Sequence, residues 1–224
     1  MDKIEVLEVK RQIIEDNDSA ALEVRAKLKK NKVFLVNLMA SPGAGKTTFL
    51  TRTINAIKND YRVGVMEADV DCDVDARTIS ETGAKVIQLH TGGSCHMDAY
   101  MTEQGIDSLG TDDLDVVFLE NVGNLVCPAE FDVGAAKKVM ILSVPEGDDK
   151  PLKYPLMFTV SDLLIINKID TLPVFDFNMD ALKEHVKELN PDMQVMPVSA
   201  LKGDGFEAWI AWLKKEIEDW RTNL

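Results

Sequence analysis

The fold of this chain is decided by residues 33–48, whose sequence is VFLVNLMASPGAGKTT. Residues 33–39 are apolar and partly β-branched, which predicts a buried strand. Residues 41–45, SPGAG, interrupt that run, and the amphipathic stretch that begins at Lys46 predicts a helix. A strand, a glycine-rich turn and a helix start therefore follow one another directly.

The spacing Ala40-x4-Gly45-Lys46-Thr47 is that of a phosphate-binding loop, with alanine in place of the first glycine. Backbone N–H groups of such a loop surround the β-phosphate, and the helix N-terminus adds partial positive charge. Lys46 would reach the β- and γ-phosphates, and the Thr47 hydroxyl would ligate Mg²⁺. The alternative, an ordinary glycine-rich turn, is disfavoured by this context. The candidate phosphate-binding residues are Gly43, Ala44, Gly45, Lys46, Thr47 and Thr48.

Composition narrows the class of protein. The chain has 224 residues, 46% of them hydrophobic, and a formal net charge of −13, which is typical of an acidic globular domain. This charge argues against nucleic acid or an anionic membrane as the main partner. No apolar run approaches a membrane span and the first residues lack a signal-peptide core, so we expect a cytoplasmic protein.

Strand-like and helix-like segments alternate along the chain. This alternation predicts a mostly parallel sheet of about seven strands that is covered on both faces. Together with the phosphate-binding loop, it predicts a P-loop NTPase fold, a three-layer α/β/α sandwich. Helices are expected from Lys46 to about Asn59, from Met97 to about Gln104, and at the C-terminus, where apolar residues including Trp209 and Trp220 recur at helical spacing and predict core packing. The expected strands cover residues 33–39, 62–67, 85–89, 115–119, 138–144, 163–166 and 194–198.

Residues 1–32 are charged, and we expect them to form a helical extension packed on a single nucleotide-binding domain, residues 33–224. Leu7, Ile14, Ala21 and Leu28 lie one heptad apart, with Ile4 and Ile13 beside them. The stripe is too narrow for a strong coiled coil. It indicates either one helix or two helices interrupted near residues 16–18.

Asn167-Lys168-Ile169-Asp170 follows the apolar strand LLII. An aspartate here can accept hydrogen bonds from guanine N1–H and N2–H2, a donor pair that adenine lacks. The motif therefore selects GTP over ATP, because the carboxylate would be left unpaired against adenine. Ser199 and Ala200, after the last strand, match the loop that lies behind the base in GTPases.

Glu120-x-x-Gly123 follows another buried strand, in the position where GTPases carry Asp-x-x-Gly. The carboxylate would act on Mg²⁺ directly or through water, and the Gly123 N–H would contact the γ-phosphate. The next residue is Asn124 and not the glutamine that orients the attacking water in small signalling GTPases. Slow hydrolysis is expected unless dimerisation or an aspartate completes the site.

The sequence ADVDCDVDA, residues 68–76, contains four aspartates, and two of them are candidates for completing the hydrolysis site. Asp69, at the end of a strand, is the candidate Mg²⁺ ligand, and Asp75 is the candidate for the water and for Mg²⁺. Asp71 and Asp73 are either part of the site or a solvated acidic loop.

Three cysteines, Cys72, Cys95 and Cys127, cannot all pair, and in a cytosolic chain they are thiols, metal ligands or reactive groups. Cys95-His96 and Cys127 both lie in loops after sheet strands, where open α/β sheets build their sites. Two thiolates and an imidazole suit Zn²⁺ or Ni²⁺ and leave one position open. Spacing alone leaves an alternative, in which the cysteines are small buried apolar residues and His96 begins a helix. Cys72 is expected to be structural.

With these motifs in place, residues 33–205 resemble the HypB family, the nickel-insertion GTPases of nickel–iron hydrogenase maturation, which are SIMIBI-class P-loop proteins. The resemblance rests on SPGAGKTT, GGSCH, ENVGNLVCP, PEGDDKPLKYP and NKID. It implies a GTP-dependent homodimer with a Zn²⁺/Ni²⁺ site on Cys95, His96 and Cys127. It also implies partnership with a HypA-type nickel chaperone and delivery to the hydrogenase large subunit. Many relatives carry an N-terminal cysteine or histidine nickel store, and residues 1–32 contain neither residue type.

Two other functions compete with this interpretation. The urease nickel-insertion GTPases are related, but ENVGNLVCP and GGSCH fit them poorly. The chain could also be a metal buffer in which the nucleotide only stabilises the fold.

Overall fold

The computed structural model describes residues 9–69 and 74–222, with side chains from residue 12 onward. Its centre is one seven-stranded sheet with the strand order β3-β2-β4-β1-β5-β6-β7, in which every neighbouring pair is parallel. The strands are β1 Phe34–Ala40, β2 Val63–Asp69, β3 Lys85–His90, β4 Val116–Glu120, β5 Lys137–Ser143, β6 Leu163–Asn167 and β7 Gln194–Pro197. The predicted parallel sheet of about seven strands is confirmed, and each strand lies within two residues of its expected bounds.

Helices cover both faces of this sheet. They are α1 Val9–Lys30, α2 Lys46–Ile57, α3 Val74–Ser80, α4 Ala99–Leu109, α5 Cys127–Glu130, α6 Lys150–Lys153, α7 Pro155–Val160, α8 Met179–Leu189 and α9 Phe206–Thr222. Alternate side chains of a strand point to opposite faces. Accordingly Phe34, Val36 and Leu38 pack with α2 and α9, whereas Leu35 packs with α1 and α4, and Met39 with α7 and α8. This is the expected three-layer arrangement.

Helix α1 is continuous through residues 16–18, so only the one-helix alternative holds. Ala21, Val24 and Leu28 are buried on the domain, whereas Ile14 is half-buried and Ile13 is 52% exposed. Ile4 and Leu7 of the heptad pattern lie outside the described residues. At this point of α1 the Asn17 side chain is buried and hydrogen-bonded to other parts of the fold.

Helix α4 begins two residues later than expected and runs five residues further. The Asp98 carboxylate caps it by accepting a hydrogen bond from the Met101 N–H at 2.8 Å, and Gly110, with φ +68°, ends it. In α9, Trp209 is fully buried and its Nε1–H donates to the Thr53 hydroxyl at 2.9 Å, which confirms its predicted core role. Among the helices of the described ranges, none is at once long enough and apolar enough to span a bilayer.

Candidate functional site

The predicted phosphate loop joins β1 to α2 in the expected geometry. Gly43 and Gly45 have φ values of +76° and +94°, the left-handed region that side-chain-bearing residues rarely adopt. Gly45 is also the N-cap of α2, and a Cβ at this residue would lie 2.7 Å from Nδ2 of Asn167. Glycine is therefore required at Gly45 both by backbone conformation and by the close approach of the NKID loop.

Asn167 joins three loops at this point. Its Nδ2 donates to the Ala44 carbonyl at 3.0 Å, and its Oδ1 accepts from the Ala200 N–H at 3.0 Å. The next residue, Lys168, donates from Nζ to the Gly43 carbonyl at 2.6 Å and has φ +62°. A non-glycine residue in this conformation is held by its surroundings, and here the phosphate loop holds it.

Asp170 lies beside the same loops. The Ser199 hydroxyl donates to Asp170 Oδ1 at 2.6 Å, and this bond keeps the pKa of the carboxyl below its usual range. The carboxylate is therefore ionised at neutral pH and has acceptor capacity for a ligand. A cavity of about 250 Å³ opens here, lined by Gly45, Thr48, Asn167, Lys168, Asp170, Thr171, Ala200 and Leu201.

Arg52 belongs to this region, although the sequence analysis did not identify it. From α2, its Nε donates to the Ala200 carbonyl at 2.5 Å and its Nη2 to the Leu201 carbonyl at 2.9 Å. Its guanidinium also lies 5.6 Å from the ring centre of Phe206. Arg52 thus ties the loop after β7 to the helix that begins at the phosphate loop. Its position on a helix, outside any motif, gave no sequence signal.

A second group of side chains gathers where β2 and β4 end. Ligand atoms of Glu67, Asp75 and Glu120 all lie within 4.8 Å of one another, and the Thr47 hydroxyl donates to Glu120 Oε1 at 3.1 Å. Glu67 and Glu120 are register partners on neighbouring strands. Asp69, the other predicted Mg²⁺ ligand, ends β2 and is not a member of this close group. Glu67 was not identified because it ends the expected strand 62–67 outside any recognised motif.

The two glutamates in this group are buried and poorly paired. Desolvation, followed by the nearby charge of Glu120, raises the pKa of Glu67 to about 8. Desolvation likewise raises the pKa of Glu120 to about 7, against the opposing effect of the Lys46 charge. Within the described ranges, Oε2 of each carboxyl lacks a hydrogen-bond partner. Buried, unpaired oxygens beside a threonine hydroxyl fit a divalent cation such as Mg²⁺.

The segment from Glu120 to Cys127 connects this group to the predicted metal residues. A Cβ at Gly123 would lie 3.1 Å from the backbone nitrogen of Pro42, so glycine permits close packing on the phosphate loop. The Asn124 N–H donates to the Ala40 carbonyl at 3.0 Å, and its side-chain Nδ2 donates to the Cys95 carbonyl at 3.3 Å. Asn124 thus contacts the phosphate loop with its backbone and the Cys95 loop with its side chain.

Cys95, His96 and Cys127 come together, with ligand atoms within 4.8 Å of one another and the two Sγ atoms 2.7 Å apart. Cys95 is exposed and Cys127 half-buried, and both are free thiols. The alternative of buried apolar cysteines is therefore wrong, as is that of a helical His96, because α4 starts at Ala99. Soft thiolates with an imidazole fit Zn²⁺ or Ni²⁺.

The imidazole of His96 is better prepared for metal binding than the Cys127 thiol. Burial lowers the pKa of His96, whose ring stacks on Phe131 at 4.0 Å between ring centres and an interplanar angle of 20°. The hydrogen bond that the protonated Cys127 thiol shares with Cys95, followed by burial, raises the pKa of Cys127. A neutral imidazole is ready to donate its lone pair, whereas the thiols must lose protons when a metal ion binds.

Some other aspartate, cysteine and histidine residues lie apart from this site or outside the described ranges. Asp71, Cys72 and Asp73 belong to residues 70–73, which the structure does not describe. His90 ends β3 and His185 lies in α8, and neither belongs to the two groups of potential metal ligands.

The fold and the loops around β1 and β6 define a P-loop nucleotide-binding protein of the α/β class. The model of the CobW/HypB/UreG nucleotide-binding domain matches residues 34–197. The hydrogenase maturation factor HypB of Rhizobium leguminosarum is 45% identical over 214 residues, which are 96% of this chain and 72% of that protein. This chain belongs to the HypB family of hydrogenase maturation factors.

Solved structures agree with this assignment. The crystal structure of HypB from Helicobacter pylori in complex with nickel superposes with a TM-score of 0.86 at 36% identity, covering 93% of this chain and 99% of that one. The structure of HypB from Archaeoglobus fulgidus gives a TM-score of 0.84 at 34% identity, covering 91% and 99%.

Proposed function

We propose that this protein is a GTP-hydrolysing metallochaperone that delivers nickel to nickel–iron hydrogenase during maturation. In this proposal the chain comprises a helical extension, residues 1–32, and one GTP-binding domain, residues 33–224. Its partners are a second copy of itself, a HypA-type nickel chaperone and the hydrogenase large subunit. Nickel is the cargo, and either Ni²⁺ or Zn²⁺ can occupy the Cys95, His96 and Cys127 site.

For the nucleotide, we assign GTP and GDP to the loops around β1, β6 and β7. Asp170, held by Ser199, would accept the guanine N–H pair, because its ionised carboxylate faces the cavity beside Thr48. Lys46 would bind the β- and γ-phosphates, and the Gly123 N–H would contact the γ-phosphate. These assignments follow the motif spacing, and the contact between Gly123 and the phosphate loop supports them.

For hydrolysis, we propose that Thr47 and Glu120 hold Mg²⁺ together with carboxylates at the end of β2 and the start of α3. The ion would stabilise charge on the phosphates. Asp75 would contribute to the metal or position the attacking water, since it lies in the acidic group with Glu120. Asp69 remains a candidate ligand beside it. Glu67 adds a second buried carboxylate, beside Glu120, that the motif pattern did not suggest.

One observation carries the proposal that nucleotide and metal are coupled: a single segment contacts both sites. At the start of this segment, the Glu120 carboxylate accepts a hydrogen bond from the Thr47 hydroxyl. At its end, Cys127 belongs to the group of potential metal ligands that also contains Cys95 and His96. Asn124, between them, bonds to Ala40 and to the Cys95 carbonyl. A segment drawn toward a γ-phosphate at one end changes the position of a metal ligand at the other.

Exposed apolar residues near the thiols support self-association. Val126, next to Cys127, is 51% exposed. Leu152 and Leu156, on α6 and α7, are also exposed, and α7 packs against α5. An open metal position beside exposed apolar side chains is suited to a second copy of this chain, and we therefore assign the homodimer interface to this surface.

The test measures the metal affinity and the self-association of the protein with GDP bound and compares them with the values when a non-hydrolysable GTP analogue is bound. Coupling of the usual size, about 1–3 kcal/mol, would change Ni²⁺ or Zn²⁺ affinity roughly 5- to 150-fold, and the metal must change GTP affinity by the same factor. Cys127→Ala should remove the metal response in light scattering, whereas Cys72→Ala should retain it. Equal affinity and equal oligomeric state in both nucleotides would instead support a metal buffer.

A further inference from the structure

Asn17, in the middle of α1, has a side chain that is only 3% exposed. Buried amides require partners, and both polar atoms of Asn17 have one far away in the sequence. Its Oδ1 accepts from the Ala99 N–H at 2.9 Å, and its Nδ2 donates to the Asp132 carbonyl at 2.9 Å. One amide therefore bridges two separate segments of the domain.

These two segments are the ones that carry the thiol and imidazole ligands. Ala99 is the first residue of α4, which directly follows the loop holding Cys95 and His96. Asp132 lies just after α5, whose first residue is Cys127. The side chain of Asn17 thus fixes the separation of the two loops from behind the site.

Further contacts of α1 hold the second segment. The Arg25 guanidinium donates from Nη2 to Asp132 Oδ2 at 2.7 Å and from Nε to the Ala135 carbonyl at 3.0 Å. Gly134, with φ +76°, lies so close to α1 that a Cβ would be 2.7 Å from Val24. The segment after α5 is therefore held on α1 by two hydrogen bonds from Arg25 and by the close packing of Gly134.

These contacts lie directly beside the metal residues. Phe131 precedes Asp132 in the chain and stacks on the His96 ring at 4.0 Å between centres. A shift of Asp132 would therefore move the ring that orients the imidazole, together with the helix that starts at Cys127. Groups that orient metal ligands commonly affect metal affinity 10- to 100-fold when they are removed.

We propose that Asn17 is a positioning residue of the Cys95–His96–Cys127 centre and that α1 is the brace that sets the spacing of its two loops. The inference rests on the metal-binding part of the proposed function. If Asn17 is replaced by an apolar residue, the Ala99 N–H and the Asp132 carbonyl lose a buried partner. Each group then gains from moving toward water or another partner, so the two loops no longer keep their separation.

The experiment uses the full chain with Co²⁺ and Zn²⁺ as probes. Asn17→Leu removes both hydrogen bonds at similar volume, and Asn17→Asp keeps the acceptor for the Ala99 N–H while losing the donor to Asp132. Leu28→Ala, a truncation at another buried position of α1, is the matched control for lost helix packing. Zn²⁺ affinity is measured by chelator competition, Co²⁺ geometry from the ligand-field and thiolate absorption bands, and fold integrity from GDP affinity and Tm.

We expect Asn17→Leu to weaken Zn²⁺ binding about 10- to 100-fold and to alter the Co²⁺ bands, with unchanged GDP affinity. Asn17→Asp should give a smaller loss, and it supplies the test if Asn17→Leu does not fold. Leu28→Ala should retain metal affinity and spectrum despite a lower Tm. Wild-type affinity and bands in both Asn17 variants, or an equal loss in Leu28→Ala, would overturn the inference. If the wild-type chain binds neither ion, the proposed function fails instead.

Discussion

The side-chain amide of Asn167 lies 3.0 Å from the carbonyl oxygen of Ala44 and so joins the NKID loop directly to the phosphate loop. The other end of the same amide accepts from the Ala200 N–H. Three loops that bind different parts of a nucleotide in our proposal therefore form one hydrogen-bonded unit. Changes in any one of them should be detected first in nucleotide affinity.

We predict that Asp170→Asn weakens GTP binding about 100-fold, or about 2.8 kcal/mol, and shifts preference toward xanthine nucleotide. The amide cannot accept both guanine N–H groups, whereas it can donate to the additional oxygen of xanthine. Equilibrium titration with GTP and with the xanthine analogue measures the change. Asp176→Asn, at an exposed residue nearby, should bind GTP like the wild type, and unchanged affinity in Asp170→Asn would remove the guanine assignment.

Lys46→Ala should lower GTP turnover at least about 100-fold, because the developing charge on the phosphates loses its cationic partner. Phosphate release under single-turnover conditions gives the rate. Lys183→Ala, an exposed lysine on α8, serves as the control and should hydrolyse GTP normally. Retained turnover in Lys46→Ala would mean that hydrolysis occurs elsewhere.

Arg52→Ala should weaken GDP and GTP binding about tenfold, because the loop containing Ala200 loses both guanidinium hydrogen bonds. Since the phosphate loop is untouched, the rate of hydrolysis at saturating GTP should change much less than the affinity. Lys58→Ala, at the residue that directly follows α2, is the control and should bind both nucleotides like the wild type. An affinity equal to that of the wild type would show that α2 does not position this loop.

Stability should depend on pH through Glu67 and Glu120. Their pKa values are raised to about 8 and about 7, so between about pH 4.5 and pH 8 the folded state binds more protons than the unfolded state. The free energy of unfolding therefore falls as pH rises through this window, by at most about 1.4 kcal/mol per pH unit for each proton. We expect Glu67→Gln to lose less stability than the wild type between pH 5.5 and pH 8.5.

Thermal unfolding without nucleotide or Mg²⁺, repeated at several pH values, tests this expectation. Glu81→Gln, at an exposed carboxylate, should follow the wild-type profile. Added Mg²⁺ at pH 8 should raise the Tm of the wild type more than that of Glu67→Gln, because the ion binds the ionised carboxylates. Parallel profiles for all three proteins would contradict the role assigned to Glu67.

The sequence predicted the strands well because most of them are buried on both faces. β1, β4 and β6 consist entirely of buried residues, so a continuous apolar run marks each one. The short helices α3, α5, α6 and α7 were not predicted, because four to seven residues contain too few turns for a helical period. Helix α8, although longer, was also not predicted.

The candidate site was predictable where a motif fixes residue type and spacing, as in the phosphate loop and NKID. Glu67, Arg52 and Asn17 were missed because their roles depend on partners from distant segments. Asn17 lies where the sequence left a break in α1 open, and its side chain instead makes buried hydrogen bonds to Ala99 and Asp132 from a continuous helix.

The strand order has a consequence for how a bound ion could leave. β3, which leads into the Cys95 loop, is an edge strand paired only with β2, and its residues are exposed or half-buried. Opening of a sheet edge costs less free energy than global unfolding and is seen as faster amide hydrogen exchange. Such a local opening would separate Cys95 and His96 from Cys127 while β1, β5 and β6 remain paired. The lifetime of an ion at the proposed Cys95–His96–Cys127 site would then depend on the local stability of this edge, and a nucleotide could remain bound at the centre of the sheet while the ion departs.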